Sequence, residues 1–461
     1  MKKFVIIALT TVLAATVAFV GWKWFSGKGD NTSTCLPREL TMVGRIDLKS
    51  MMLHSGMSAK DVSKMLGRVL RQTSIDDTGV DYQSTAYVFS SQGYFGAIIP
   101  LNDAAEFEQS IAKNLAQPFT SQRGLRWATL GNNNILIGVD KHRAMIMGPA
   151  VGGELDALRN TIATCMTQDK DDSGSESPLF ALLETREEPI ALASTYDAIP
   201  NQFLPEVLTN AFDLSTLRLV AGATVKKDRI NMQISYLTED EKLNQFLDKI
   251  DNALVPVDGT LLTTAPTHPS IHVEMGAQGE KVLEVLRSIP ELRTKLLLAN
   301  TVLDADLLMK SIKGDVSLSY CKNDWIVQAQ LGDDRVLDNV DSWNDELSRA
   351  AGVTFTPTDK KHGFMEYGKG KTIHYSCNAK RLILSPDEKM ANASAYHDIA
   401  YSWKESMEGN RLYAVVDINS FLFLKLYLPT IDHIVLAVPE IRQWNVEMRA
   451  PAGTNLFEFL D

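Results

Sequence analysis

Apolar and polar residues recur along this chain in one order. Four times, two alternating or apolar runs flank a short polar turn, and a helical pattern follows. Residues 85–89 and 94–99 flank Ser90, Ser91, Gln92 and Gly93, and Asn102 and Asp103 then open a helix through Phe107 and Ile111. Residues 217–225 and 230–237 flank Lys226, Lys227 and Asp228. Thr238 and Glu241 follow with capping-box spacing, in which the two side chains satisfy orphan amides at a helix start, and Leu243, Phe246, Leu247 and Ile250 recur at helical spacing. Residues 316–320 and 325–331 flank Lys322, Asn323 and Asp324; Asp333 or Asp334 then caps a helix with Val336, Leu337, Val340, Trp343 and Leu347 on its apolar face. Residues 434–438 and 444–448 precede a last helical turn at 455–460. A period of two reads as a strand with one face buried, and a period near 3.6 as a helix.

A strand precedes each hairpin and runs into a helix. Ile46-Asp47-Leu48-Lys49-Ser50 and Val416-Asp417-Ile418-Asn419-Ser420 are alike, Tyr196-Asp197-Ala198-Ile199 is similar, and residues 271–275 followed by 279–286 complete the set. The aspartates stand where a strand stops and a helix starts, which is the place of an N-cap acceptor and needs no ligand to explain it. Extra strands at 125–130, 134–139 and 144–147 follow the first hairpin, and others at 364–367, 372–376 and 381–384 follow the third, which suggests a long unit and a short one, twice over. The fold expected is therefore α+β: repeated strand–helix–hairpin–helix units with antiparallel sheets, after one N-terminal transmembrane helix. The segments expected are an anchor or signal at 1–28, a tether at 29–36, an α+β domain at 37–167, an acidic linker at 168–177, and further units at 178–265, 266–390 and 391–461. Nothing in residues 168–177 is apolar, so that stretch reads as a surface loop or linker.

Lys2 and Lys3 precede an uncharged stretch from Phe4 to Gly21. As a helix it spans roughly 27 Å, close to a hydrocarbon core. Trp22, Trp24 and Phe25 with Lys23 form an interfacial set, and the leading lysines favour an N-terminus inside and a body outside. A cleaved signal peptide is the competing reading, although Ala14, Ala15 and Ala18 make no clean small-residue cleavage site. Either way the body lies outside the cytoplasm. The membrane, through residues 4–21, is thus one expected partner, and a protein of the envelope is another.

The formal charge is −11, and with four lysines and no acid in the first 28 residues the remainder carries −15. Such a body repels phosphate backbones, so no nucleic-acid partner is expected. The four cysteines, Cys35, Cys165, Cys321 and Cys377, include no CxxC pair, and their spacing leaves three complete pairings open, or buried free thiols, which suits Cys321 and Cys377.

Motifs for common chemistries are incomplete. The glycines and lysines at 363–370 begin like a phosphate loop, but Gly370 stands where Ser or Thr must be, and a hairpin tip between 364–367 and 372–376 suits them better. Ser110 and Lys113 match SxxK without the rest of a serine acyl-enzyme set. His272 and Glu274 would share one face of a strand and could start a metal site, with His268 nearby, but two candidate ligands in a loop-and-strand region read as surface residues. Trp325, Trp343 and Trp444 read as core, and Trp127 as the exposed tryptophan. No cofactor or metal is expected, and no catalytic residue is identified.

The export segment, the strand ending in I/V-D-hydrophobic-x-S, and the run Tyr94-Phe95-Gly96-Ala97-Ile98-Ile99-Pro100-Leu101-Asn102-Asp103 leading into Phe107 resemble a family of uncharacterised envelope proteins of Bacteroidales. The resemblance covers most of the chain after Pro37. Many members of that family are lipoproteins, whereas here Cys35 follows a polar run and lacks a lipidation box. The resemblance implies no activity. The function expected is a membrane-anchored extracytoplasmic binding or scaffold protein, with an envelope hydrolase as the alternative.

Overall fold

The structure is a computed structural model. It describes residues 32–461 except 56–78, 113–117, 131–133, 151–153, 199–210, 267, 302–303, 322–323, 334, 337–352, 360, 369, 379, 393–404, 429, 455 and 457–461. The chain divides into two compact units. The first comprises Met1–Pro205, Leu214–Glu239 and Ala452–Asp461, and the second Glu206–Asp213 and Asp240–Pro451.

Among the described residues, ten strands build the first unit: β1 (Met42–Asp47), β2 (Thr85–Ser91), β3 (Tyr94–Pro100), β4 (Thr120–Gln122), β5 (Leu125–Leu130), β6 (Ile135–Val139), β7 (Arg143–Gly148), β8 (Ile190–Thr195), β9 (Arg218–Val225) and β10 (Arg229–Leu237). All pairings are antiparallel, in the order β10-β9-β8-β1-β2-β3-β7-β6-β5-β4. The second unit holds β11 (Leu254–Val255), β12 (Ile271–Gln278), β13 (Ile312–Cys321), β14 (Asp324–Leu331), β15 (Thr354–Pro357), β16 (His362–Tyr367), β17 (Lys371–Asn378), β18 (Arg381–Ser385), β19 (Leu412–Asp417), β20 (His433–Glu440) and β21 (Gln443–Arg449). Their order is β21-β20-β19-β12-β13-β14-β18-β17-β16-β15, with β11 beside the end of β12. Strand for strand, the two orders are the same.

This architecture corrects the expected one. The hairpins lie where the alternation placed them, but they do not head four small α+β units. Among the described residues the antiparallel strands of each unit form extended sheet; in the first, β1 pairs with its own hairpin strand β2 on one side and with β8, some 150 residues on, on the other. A two-stranded hairpin is marginal in water, and an open strand edge leaves backbone donors and acceptors unpaired; joining the short run to the long one removes both costs. Nor is there a membrane-spanning helix at the head of the described fold: among the described residues no helix is long and apolar enough to cross a membrane. Residues 4–21 lie outside them.

Details within each unit repeat as well. In the first, the single-turn helix Thr32–Cys35 lies on the sheet, and Arg143 Nη1 donates to Cys35 Sγ at 2.9 Å. In the second, the helical turn Thr260–Thr264 takes that place, and Arg381 Nη1 donates to Thr264 Oγ1 at 3.0 Å. Each arginine closes a turn whose first side chain, Asp140 or Asn378, accepts the amides two and three residues on.

The acidic stretch 168–177 separates no units, since both its flanks belong to the first. It forms two short turns, Lys170–Asp172 and Gly174–Glu176, and the Gln168 side chain donates to the carbonyls of Thr34 and Leu36 at 2.8 Å each. Backbone carbonyls of the N-terminal segment thus give this polar stretch a seat.

Candidate functional site

The same sheet face is filled differently in the two units. In the first it is dry. Val43, Tyr87, Phe89, Ile98, Met145 and Met147 pack against Cys35 and Leu36, and against Leu158 and Ile162 of the helix Leu155–Thr167. A fully buried side chain of this size contributes roughly 1.5–3 kcal/mol. Aligned by its two-residue hairpin turn, the second unit sets Ser317 and Ser319 where Tyr87 and Phe89 stand, and Gln328 where Ile98 stands. His272 takes the place of Val43, two residues from Glu274. Cross-strand volume is exchanged in one pair: the Phe89 ring lies over Gly96, where a Cβ would meet it at 2.2 Å, whereas the small Ser319 pairs with the large, buried Ile326.

His272, Glu274, Ser319 and Gln328 are 0% exposed and Asp315 1%, so every polar atom there needs a partner on the spot. His272 lies between Ser319 Oγ at 2.9 Å from Nδ1 and Glu274 Oε2 at 3.2 Å from Nε2. Burial holds the imidazole down at about 4 and pushes Glu274 up to about 7, so at pH 6 this is a neutral pair. Asp315 on β13 is pushed up to about 8, chiefly by burial, with the neighbouring Asp258 and Glu274 carboxyls adding to it. Its Oδ2 accepts the amides of Asp258 at 3.1 Å and Gly259 at 3.0 Å. Burial opposes the ionisation of Asp258, but the neighbouring Asp315 carboxyl and hydrogen bonds from Thr260 and Gln330 hold it down at about 2. Glu274 Oε1 makes no well-formed hydrogen bond.

The covering segment 257–265 is tied down along its length. Gln330 Nε2 donates to Thr260 Oγ1 at 2.7 Å and to Asp258 Oδ1 at 3.2 Å, and Gln328 Nε2 donates to the Leu261 carbonyl at 3.2 Å. Thr264 Oγ1 bonds to Gln328 Oε1. Val257 and Leu262 pack on Tyr413 and Val415 of β19. Gly259 sits at φ +68°, a left-handed conformation that lets the chain turn back over Asp315.

Of the residues singled out in the sequence, His272 and Glu274 come together, and His268 stays exposed away from them. Asp315 and Asp258 were missed. Among the described residues no group of three His, Cys, Asp or Glu could hold a metal ion. Asp47 and Asp417 are corner acceptors: Asp47 takes the Ser50 amide at 3.0 Å and hydroxyl at 2.8 Å, and Asp417 the Asn419 amide at 2.9 Å and the Ser420 hydroxyl at 2.6 Å. Asp197 lies inside the turn Tyr196–Ala198. Trp127, read as exposed, is 2% exposed and donates to the Gln122 carbonyl at 2.9 Å, because β5 turns it into the first unit's core. Ser110 Oγ bonds to the Phe107 carbonyl, as a helix-surface serine does; Lys113 lies outside the described residues. Gly368 and Gly370 take positive φ in the β16–β17 hairpin. The four cysteines are free. A hollow of about 470 Å³ in the first unit has Arg186 in its wall, already bonded to Glu188 and Gln233.

A family model described as a domain of unknown function (DUF4836) matches residues 33–436. The chain belongs to this family. No curated protein matches it. Among solved structures, three crystal forms of TP0453 are similar to it: form IV at 12% identity and a TM-score of 0.30, form III at 10% and 0.30, and form I at 10% and 0.27. Each covers 49% of this chain and 85–88% of TP0453. The DUF4836 match spans β1 to β19, with the polar face, and ends within β20.

Proposed function

We propose that this DUF4836 protein is an extracytoplasmic binding or scaffold protein of the cell envelope, held at the membrane by residues 4–21. The observation that carries the non-enzymatic part is closure. His272 and Glu274, the groups best suited to proton transfer, have no exposure. Catalysis needs a reacting group within hydrogen-bond reach of substrate, and a sealed pair offers none. Lys2 and Lys3 ahead of an uncharged stretch support the anchor, and the body's negative charge supports a protein rather than a nucleic-acid partner. Perturbed carboxyls cluster at active sites, so an envelope enzyme is the second reading, favoured by Glu274 and Asp315 alone.

Membranes carrying the intact protein are extracted with carbonate and treated with a short amine-reactive crosslinker. The protein should stay in the pellet with its N-terminus intact and yield discrete protein adducts at a fixed ratio. Release into the supernatant, or a mature chain starting after Gly21, overturns the anchor. A protein that remains monomeric and free of adducts at saturating crosslinker overturns the scaffold.

A further inference from the structure

Each sheet carries a cover on one face, residues 32–36 in the first unit and residues 257–265 in the second. Beside the covers the two copies differ. In the second unit the fully buried Tyr413 ring fills the space: its residue pairs with Glu274 on one side and Ala437 on the other, and it packs with Val257, Leu262 and Met407. In the first unit the same register sets Ala191 between Arg45 and Gly222, so no ring stands there. The Glu188 carboxyl lies over Gly222 instead, where a Cβ on the glycine would meet it at 2.3 Å, and the hollow of about 470 Å³ opens beside it. A volume of that size is ordinary for a ligand cleft. We propose that this hollow binds a neutral, hydroxyl-rich ligand, a saccharide unit, through the polar groups that the missing ring leaves open.

The wall is held in place by its own bonds. Arg45 on β1 donates from Nη1 to Glu184 Oε1 at 3.0 Å and from Nη2 to the Arg186 carbonyl, which fixes the loop ahead of β8. Arg186 donates from Nε to Glu188 Oε2 at 3.1 Å and from Nη2 to Gln233 Oε1 at 2.7 Å, and its side chain is 14% exposed. Those bonds orient the guanidinium and leave its Nη1, the Gln233 amide nitrogen and the Thr224 hydroxyl without a partner among the described residues. His54, on the helix Leu48–Ser55, turns Nδ1 to the Ser50 carbonyl at 2.6 Å, so a neutral ring offers Nε2 as an acceptor. Two carboxylates, Glu187 and Glu188, stand against one guanidinium in this wall, so an anion meets an excess of negative charge and an ammonium group meets Arg186. Of the lining side chains only Pro189 is apolar, so an apolar ligand gains little buried area. A sugar hydroxyl donates and accepts at once, which matches mixed donors and acceptors and asks for no net charge. This goes beyond the scaffold reading, which crosslinked adducts test without touching the hollow.

Titration calorimetry on the full chain in detergent, with glucose, mannose, galactose, N-acetylglucosamine and their β-linked disaccharides, reads this directly. At least one neutral sugar should bind with a Kd of about 1 mM or tighter. The disaccharides separate a glycan chain from a free sugar. Q233E keeps the acceptor for Arg186 and removes the free donor, so it should weaken that binding at least about fivefold, the scale of one lost hydrogen bond. T224W refills the hollow as Tyr413 fills its counterpart, and should abolish binding. Glucose 6-phosphate and glucosamine, the same ring with a charge of either sign, should bind more weakly than the neutral sugar. Absence of binding by every neutral sugar at that scale overturns the proposal. So does binding that Q233E, folded as the wild type by circular dichroism, leaves unchanged, and so does tighter binding of either charged ring.

Discussion

A buried cysteine in this protein is a poor nucleophile. Burial pushes Cys35 up to about 11, with Arg143 pulling the other way, and pushes Cys165 up to about 12; Cys321 is raised but only half-buried. The thiolate is the reactive form, so at pH 8 a maleimide should label Cys321 first and reach Cys35 and Cys165 only after denaturant is added. Rapid native labelling of Cys35 would show that the first cover opens freely. At this scale the sequence was partly legible. The alternation of His272 with Glu274 placed both on one strand face. It did not expose Asp315, because β13 reads Asp315, Ser317, Ser319 on alternate positions, the pattern of a solvated face. Only the covering segment 257–265, about 55 residues earlier in sequence, turns that face into an interior.

Strand and corner are the next scale. Asp47 and Asp417 share the sequence Asp-x-x-Ser and bond their serine hydroxyls alike, although one begins an eight-residue helix and the other a single turn. Replacing Asp417 with Ala should cost about 0.5–2 kcal/mol, as for other caps, and D417N, which keeps an acceptor, distinctly less. Urea midpoints of both variants check this; equal losses would mean that charge rather than hydrogen bonding matters at the corner. Hairpins and corners were readable because their signals are local: alternation, a polar turn, a short acceptor. The partner of an outer strand was not. The backbone ladder joining β1 to β8 is made of groups that every residue carries, so it leaves no mark in side-chain pattern. Four apparent units were two for that reason.

Across the whole molecule, proton linkage sets where the second unit is most stable. Glu274 and Asp315 have raised folded pKa values, so their contribution is complete below about 4 and is lost as pH rises through about 7 and about 8. His272 acts oppositely: its folded value is lowered, so its contribution is present above 6.5 and is lost as pH falls through about 4. Two descending contributions outnumber one ascending, and urea resistance of the second unit should decline from pH 5 to pH 8.5. Exchange of its slowest amides against urea checks this; a rise over that range would mean that the carboxyls are ionised at no cost.

The unequal filling of two like sheets also has a thermal consequence. Exposing apolar surface raises heat capacity, and exposing polar surface lowers it. The first unit, with Phe89, Ile98, Met145 and Met147 under its cover, has the larger heat-capacity increment on unfolding and the more sharply domed stability curve. The second, with His272, Ser319 and Gln328 in that layer, has the flatter one. Cooling therefore weakens the dry sheet faster than its polar counterpart, and one polypeptide carries two different temperature optima.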